Sequence, residues 1–591
     1  MTTPREPSSA NLSPTGSHPA VRFDQVKPVV GPLTPFPPKR AGILRDVVQN
    51  TAEELAEGRS LDLLLGEALF LERLRLKRNR RLSLGNLFTR GRARNDKRLW
   101  DSIYRDLLKS PAERNRREML ERATGHYAEE IGAHFDPKVY EFATRTVPWF
   151  FSWMLNAASV RRFNPMRMTE SLADRLRIVG QVDVLQNLSR QGTILLVPTH
   201  QSNIDSVLIG YVIYLMSLPP FSYGAGLNLF SNPVLSYFMS NLGCYTVDRQ
   251  KSSLLYKTTL KHYSTRILTE GIHSIFFPGG GRSRNGAIES KLKLGLLGTA
   301  LDAQIQNLQA GKPQPNIYIV PMVMSYHFVL EASSLIEDYL AHLGQHRYLG
   351  SDTEEIPPFV KSINFFWKYF ASQSNITVRI GSPLDVFGNP VDPQGNSLGP
   401  NGTIIDPRKW LTTEGELKPH AQRDQEYTRQ LGKMISDRYY RENTVLTSHL
   451  LALAYFTAVR RRYQDLDIFR LLRLSQSQRT VPFDEFLKEA EALHARVAEM
   501  ANRGELHLSE ELRGAIGSAE GTRKWVNDGA ERIGHLHGNA VIRIEGNAIW
   551  TEDMNTLYYY RNRLSGYGLT LSAERRLKRL RGELDEQGFL A

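Results

Sequence analysis

The chain has 591 residues, 41% of them hydrophobic and 23% charged, which excludes a largely disordered protein and predicts about three folded units at ~100–200 residues each. A net charge of +13 points to an anionic partner, and the single cysteine, Cys244, excludes an intramolecular disulfide and fits a reducing compartment. No run reaches the ~18 consecutive apolar residues of a spanning helix, and the N-terminus lacks the basic region and apolar core of a secretory signal.

In chain order, residues 1–42 are rich in Pro, Ser and Thr and are expected to form a disordered arm. Residues 43–170 turn helical, with Ile43, Leu44, Val47 and Val48 at helical spacing, and carry a basic patch. Between Arg73 and Arg98 eleven Lys or Arg stand against the lone Asp96. Such a patch seeks phosphates of a lipid surface or of nucleic acid, and a solvated helix face is the plain alternative. Phe88 is its only aromatic, so stacking platforms for nucleic acid are missing and no nucleic-acid partner is expected. Val147 to Leu155 holds Trp149 and Trp153 and ends near Arg161 and Arg162, suiting either a buried helix or a bilayer boundary. Residues 171–440 alternate short apolar runs with helical spans, at Thr193 to Val197, Ile272 to Phe277, Ile317 to Val323 and Ile376 to Ile380. That texture predicts an α/β domain with a mixed, largely parallel sheet flanked by helices. Gly388 to Gly402 is expected to be a surface loop, and residues 441–591 a C-terminal helical region whose apolar span Val445 to Val459 runs into Arg460, Arg461 and Arg462.

Four stretches of the α/β part carry chemistry. Leu195 to Asp205 reads as a strand ending at Pro198, then His200, then a helix capped near Ser202 or Asn203. Five residues on one helix would turn His200 and Asp205 about 140 degrees apart, so they meet only if His200 lies in the turn before the helix. There Asp205 can fix the imidazole tautomer and leave the other nitrogen to take a hydroxyl proton. Helix capping is the plain alternative, and a metal pair lacks further ligands nearby. Asn241 to Arg249 leads a glycine into a short strand ending in Arg249, whose fork of donors suits a phosphate or an ion pair with Asp248. Phe276 to Arg284 runs a strand into Gly279, Gly280 and Gly281, then Arg282, Ser283 and Arg284. Bare backbone and paired guanidinium groups make a phosphate-binding design, without the Gly-Lys-Ser/Thr ending of a nucleotide loop. Tyr318 to His327 reads as a buried strand broken at Pro321.

The order and spacing of these stretches resemble the glycerophospholipid acyltransferase superfamily of the His-x4-Asp type. Its marks are His200 to Asp205, Gly243 to Arg249, the Pro-x-Gly-Gly-Arg-Ser-Arg run ending at Arg284, and the Val-Pro strand at Pro321. Gly281 within that run is closer to the glycerol-3-phosphate acyltransferases than to the second-step enzymes. Thr377 to Leu384 and Leu557 to Arg563 are similar to the large bacterial and mitochondrial-type members. Three positions depart: Gly279 stands where the pattern has Glu, Thr246 where it has Phe, and His327 where Glu is frequent.

The resemblance implies a fatty acyl transfer from acyl-CoA or acyl carrier protein, as co-substrate, to the 1-hydroxyl of glycerol 3-phosphate. His200 and Asp205 are then the catalytic pair. Arg249, Gly280, Gly281, Arg282, Ser283, Arg284 and Pro321 bind substrate. No cofactor or metal is expected, Cys244 is a packing residue, and the oxyanion falls to N–H groups near the glycines or after His200. The expected place is peripheral, on the cytoplasmic face of an anionic membrane such as the bacterial inner membrane. Gly279 keeps a different acceptor open: lysophosphatidate, dihydroxyacetone phosphate or a lysolipid. A non-catalytic membrane-binding relative is a further alternative.

Overall fold

In the computed structural model the described residues are 29, 31–34, 36–82, 87–109, 113–146, 176–227, 233–345, 375–534, 537 and 541–569. Residues 1–28, the aromatic stretch Val147 to Leu155 and the chain beyond 569 lie outside them.

Helix α1 spans Phe36–Ala56 and so begins inside the expected arm. Pro37 and Pro38 occupy its first turn, where no N–H is lost to the helix, and the buried Phe36 anchors its start. Four more helices follow: α2 (Leu61–Leu82), α3 (Leu87–Lys109), α4 (Glu113–Ile131) and α5 (137–146). Their apolar faces enclose Leu44, Leu55, Trp100 and Tyr127 against Tyr256 and Tyr263 of the next domain. A seam of buried charge runs through the same junction. Arg75 pairs with Glu72 and Asp96, His126 Nε2 meets Asp96 at 2.7 Å, and Tyr127 donates to Glu72 at 2.9 Å. Lys251, from the sheet domain, lies between Asp96 at 3.3 Å and Glu130. Buried charges survive only when paired this fully.

The central sheet has seven strands: β1 (Leu176–Gly180), β2 (Thr193–Pro198), β3 (Ser222–Gly226), β4 (Cys244–Val247), β5 (Ser274–Ile275), β6 (Ile317–Tyr326) and β7 (Ile376–Ile380). Their order is β1-β7-β6-β2-β5-β3-β4, parallel throughout except where β6 meets β7. Along β2, Ile194 and Leu196 face one apolar layer while Leu195 and Val197 face the other. Burial on both faces explains why these strands read as unbroken apolar runs. The run Ile272 to Phe277 pairs over only two residues, because the chain leaves the sheet for the Pro278 loop.

Pro321 does not break its strand; β6 continues through it from Ile317 to Tyr326. It pairs with Val197 on one side, and on the other its carbonyl accepts the Gly381 N–H at 2.8 Å, just past the end of β7. The missing N–H therefore falls on the Gly381 side, one pair beyond the end of the β6–β7 ladder.

Helices α6 (Val182–Gln191), α7 (Asp205–Leu215), α8 (Pro233–Asn241), α9 (Leu254–Thr269), α10 (Leu294–Gln309) and α11 (Ala332–Gln345) connect the strands. Beyond β7, α12 (Ala421–Arg441) packs against α10, and α13 (Thr447–Arg462) is buried from Thr447 to Val459. With α14 (Phe483–Asn502), α15 (Ala519–Gly534) and α16 (Met554–Arg561) it shares one continuous core with a face of the sheet. The C-terminal helices thus belong to the same body as the sheet.

Several imidazoles are buried in this core without a charge partner. His273 accepts the Ile194 N–H on Nδ1 at 3.1 Å, and burial pushes its pKa down to about 4. His449 accepts the Leu446 N–H at 3.3 Å, and burial with the nearby Arg563 charge lowers it to about 3. A folded pKa below the unfolded value of ~6.5 means the unfolded chain binds the proton first, so the stability is complete above that pH and is lost as pH falls toward 4 and then 3. His273 alone contributes about 3 kcal/mol to this loss. The urea midpoint should fall between about pH 7 and about pH 4.5, and Glu→Gln changes at surface carboxylates should not abolish the fall. A midpoint flat over that range would show the buried imidazoles are not neutral.

Candidate active site

The chain leaves β2 at Pro198, and Thr199 still donates to Met322 at 2.9 Å, so His200 emerges from the C-terminal edge of the sheet in a turn. Helix α7 begins at Asp205, later than the caps expected at Ser202 or Asn203. Both of those residues are instead held by Glu331: Ser202 Oγ donates to it at 2.9 Å and the Asn203 N–H at 3.1 Å. The turn brings Asp205 Oδ2 to 2.8 Å from His200 Nδ1. The same oxygen accepts the N–H groups of Gln201 at 2.7 Å and Ser202 at 3.0 Å, while Oδ1 accepts the Tyr326 hydroxyl at 2.6 Å. Four donors surround a side chain with no exposed surface, so Asp205 can serve only as an acceptor toward the imidazole. The proton therefore sits on Nδ1, and Nε2 carries the lone pair. Phe277 stacks on the imidazole at 4.1 Å and fixes its plane.

The glycine run is fastened to this turn. Ser283 donates its N–H to the His200 carbonyl at 2.8 Å, while its hydroxyl turns back to the Ala287 carbonyl at 2.7 Å. Gly280 has φ +75, a conformation only glycine adopts freely, and the three glycines leave room for charged groups from elsewhere. A Cβ at Gly279 would lie 3.0 Å from Glu289 Cγ, one at Gly280 2.9 Å from Lys293 Cγ, and one at Gly281 3.6 Å from Arg249 Nη1. Arg249 is exposed and has no carboxylate partner among the described residues. Arg282 and Arg284 are engaged, with Glu331 at 3.3 Å and with Asp338 at 3.4 Å. The structure thus brings Gly280, Gly281, Arg282 and Ser283 to the His200–Asp205 pair, with Arg249 beside them. Pro321 stays inside the sheet and meets the site only through its backbone neighbours.

The N–H groups after His200 are already used. Glu289 Oε1 accepts that of His200 at 2.8 Å, Asp205 those of Gln201 and Ser202, Glu331 that of Asn203, and Ser202 Oγ that of Ile204 at 3.5 Å. An oxyanion can draw on the glycine run without breaking any of these bonds.

An apolar cavity of about 220 Å³ opens behind Phe277, lined among others by Tyr140, Thr144, Val207, Tyr211 and Phe238. Tyr140 and Thr144 come from α5, so the N-terminal helices help build it. The C-terminal strap closes the other side. Asn562 donates to the Asn285 carbonyl at 3.0 Å, and Gly286, with φ +80, lies where a Cβ would meet the Tyr559 carbonyl at 2.2 Å. The buried Arg563 donates to Met324 at 2.9 Å and to Asn443 at 2.8 Å.

Among the described residues, Asp96, His126 and Glu130 have metal-ligand spacing, but the Lys251 ammonium and the Arg75 guanidinium already meet their charge. Cys244 is buried, and burial pushes its thiol far up, away from nucleophilic use. His327 is buried and meets Ser448 Oγ at 3.2 Å. Glu331, Glu289, Tyr326 and Lys293 were missed from sequence, because only the folded loops bring them to His200 and the glycines.

Comparison with known proteins agrees with this geometry. Residues 179–325 match the family model described as Acyltransferase. A glycerol-3-phosphate acyltransferase of Actinobacillus succinogenes is 35% identical over 162 residues, which is 27% of this chain and 19% of that protein. The enzymes of the same name from Pseudomonas entomophila and Pseudomonas paraeruginosa are 23% and 26% identical over 379 and 274 residues, covering 63% and 46% of this chain and 40% and 28% of theirs. The chain therefore spans well under half the length of these curated relatives. A crystal structure of a 1-acyl-sn-glycerophosphate acyltransferase from Thermotoga maritima aligns at 14% identity and a TM-score of 0.22, over 50% of this chain and 91% of that one, too low a score to speak for either fold. A largely parallel sheet with a His–Asp pair at its C-terminal edge, and a family match that takes in β2 to β5 and nearly all of β6, make 179–325 of this chain an acyltransferase-family domain.

Proposed function

We propose that the chain transfers a fatty acyl group from an acyl thioester, acyl-CoA or acyl carrier protein, to the 1-hydroxyl of glycerol 3-phosphate. The observation that carries this reading is the 2.8 Å contact of His200 with Asp205 beside a glycine run fringed by cations. The relatives named glycerol-3-phosphate acyltransferase favour the same acceptor.

His200 Nε2 takes the hydroxyl proton as the alkoxide oxygen attacks the thioester carbonyl. Asp205 holds the imidazolium that results. The N–H groups of Gly281 and Arg282 receive the oxyanion, since those after His200 are engaged. Collapse breaks the carbon–sulfur bond, and the leaving thiolate recovers the proton from His200. The acyl chain lies in the apolar cavity behind Phe277, and the acceptor phosphate meets Arg249, Arg282, Arg284 and Lys293. Gly279 favours testing a wider acceptor panel, including lysophosphatidate and dihydroxyacetone phosphate.

The chain reaches its substrates at an anionic membrane surface through α2 and α3. No helix among the described residues is long and apolar enough to cross a membrane. Leu63, Phe70 and Leu74 form an exposed stripe along α2, with Leu108 exposed on α3 and Lys77, Arg78, Lys97 and Arg98 exposed around them. Apolar side chains fringed by cations suit the headgroup boundary.

With a labelled palmitoyl thioester and glycerol 3-phosphate the product should be the 1-acyl ester. His200→Ala should abolish it, and most of the wild-type rate remaining in that variant would remove the base. Asp205→Asn should lower kcat by about 10³–10⁴ through the wrong tautomer. Imidazole nitrogen spectra should show the proton leaving Nδ1 in that variant. Arg249→Ala should raise the acceptor KM about tenfold, the worth of one charge-assisted contact. Leu63→Glu with Phe70→Glu should abolish sedimentation with phosphatidylglycerol vesicles, and unchanged binding would place the membrane contact elsewhere.

A further inference from the structure

The active site contains a carboxylate that neither the sequence motifs nor the comparisons assign. Glu289 lies ten positions past Gly279, yet the chain returns it to the same place. Lys293 donates its N–H to the Pro278 carbonyl at 2.6 Å, closing the loop, and Ser436 Oγ holds the Glu289 carbonyl at 3.3 Å. The Glu289 side chain then fills the space a residue-279 side chain would need, with its Cγ 3.0 Å and Oε1 3.3 Å from a Cβ built on Gly279.

Oε1 accepts the His200 N–H at 2.8 Å, while Ser283 holds the His200 carbonyl from the opposite side. Both backbone groups of the base are thus clamped, and the clamp needs an acceptor oxygen in the gap that glycine leaves. Oε2 is buried and has no hydrogen-bond partner among the described residues. Burial raises the carboxyl pKa against the opposing charges of Arg563 and His200, so a costly group is kept here without a structural return for its second oxygen.

We propose that Glu289 fills, from the following loop, the place of a carboxylate at position 279, and that it positions His200 for proton abstraction. This rests on the acyl-transfer reading above. A base held by its main chain keeps its lone pair aimed at the hydroxyl, and displacement of about 1 Å lowers turnover by about 100-fold.

The test is steady-state kinetics of the full chain with a palmitoyl thioester and glycerol 3-phosphate. Glu289→Ala should lower kcat by about 100-fold with both KM values within about threefold of wild type. Glu289→Gln, whose amide oxygen still accepts the His200 N–H, should regain most of it. Gly279→Glu alone should lose turnover because two carboxylates crowd one space, and Gly279→Glu with Glu289→Ala should recover at least about tenfold over Glu289→Ala. Wild-type kcat in Glu289→Ala, or a loss that neither Gln at 289 nor Glu at 279 reverses, would overturn the inference. Should Glu289→Ala not fold, Gly279→Glu is compared with Gly279→Glu/Glu289→Ala, which leaves a single carboxylate in that space; equal turnover overturns it, and recovery in the second supports it. An active His200→Ala sinks the acyl-transfer reading itself, whereas an inactive His200→Ala beside a fully active Glu289→Ala sinks only the role of Glu289.

Discussion

A carboxylate with no exposed surface needs every one of its lone pairs answered, and Asp205 receives two N–H groups of its own turn, the Tyr326 hydroxyl and the imidazole of His200. Desolvation of such a group is expensive unless the donors are already in place, so the turn can hardly adopt another shape. That rigidity is inherited by everything attached to it. Ser283 ties the glycine run to the His200 carbonyl, and Glu331 ties α11 to Ser202 and Asn203. Geometry at the His200 imidazole thus depends on the polar network below it.

The three parts of the chain meet at this network. The N-terminal helices bring Tyr140 and Thr144 to the apolar cavity and hold Lys251, two residues beyond Arg249, through Asp96 and Glu130. The C-terminal helices share the sheet's core and send Arg563 and Asn562 back to the site. Each extension does more than cover a surface: one shapes the apolar cavity, the other closes the end of the glycine loop.

Much of this was legible in the chain itself. The alternation of apolar runs foretold the sheet, and His200 before a strand-to-helix turn foretold its meeting with Asp205, because only that turn brings five-apart residues together. The glycine and arginine run, read as a phosphate-binding design, does lie against that pair. Less legible was how its charges are spent, since Arg282 and Arg284 find Glu331 and Asp338 only after α11 is placed. Pro321 misled as a breaker because its effect depends on where β7 stops. Glu289 and Lys293 carry no local signal at all; their meaning comes from a loop that doubles back over bare glycines. The basic run from Arg73 to Arg98 proved mixed, with Arg75 buried in the charge seam and Arg73 lying over Tyr104 at 3.9 Å.

The seam between the helical front and the sheet has a consequence for how the protein can be divided. Removing α1 to α4 would strand the Lys251 ammonium without its two carboxylates and bare Tyr256, Tyr263 and Leu255 on α9 to water. The family-matched segment is therefore a unit of descent without being a unit of folding. Insertion, shuffling or trimming of this chain has to respect a border drawn by electrostatics, some fifty residues or more ahead of the one drawn by homology.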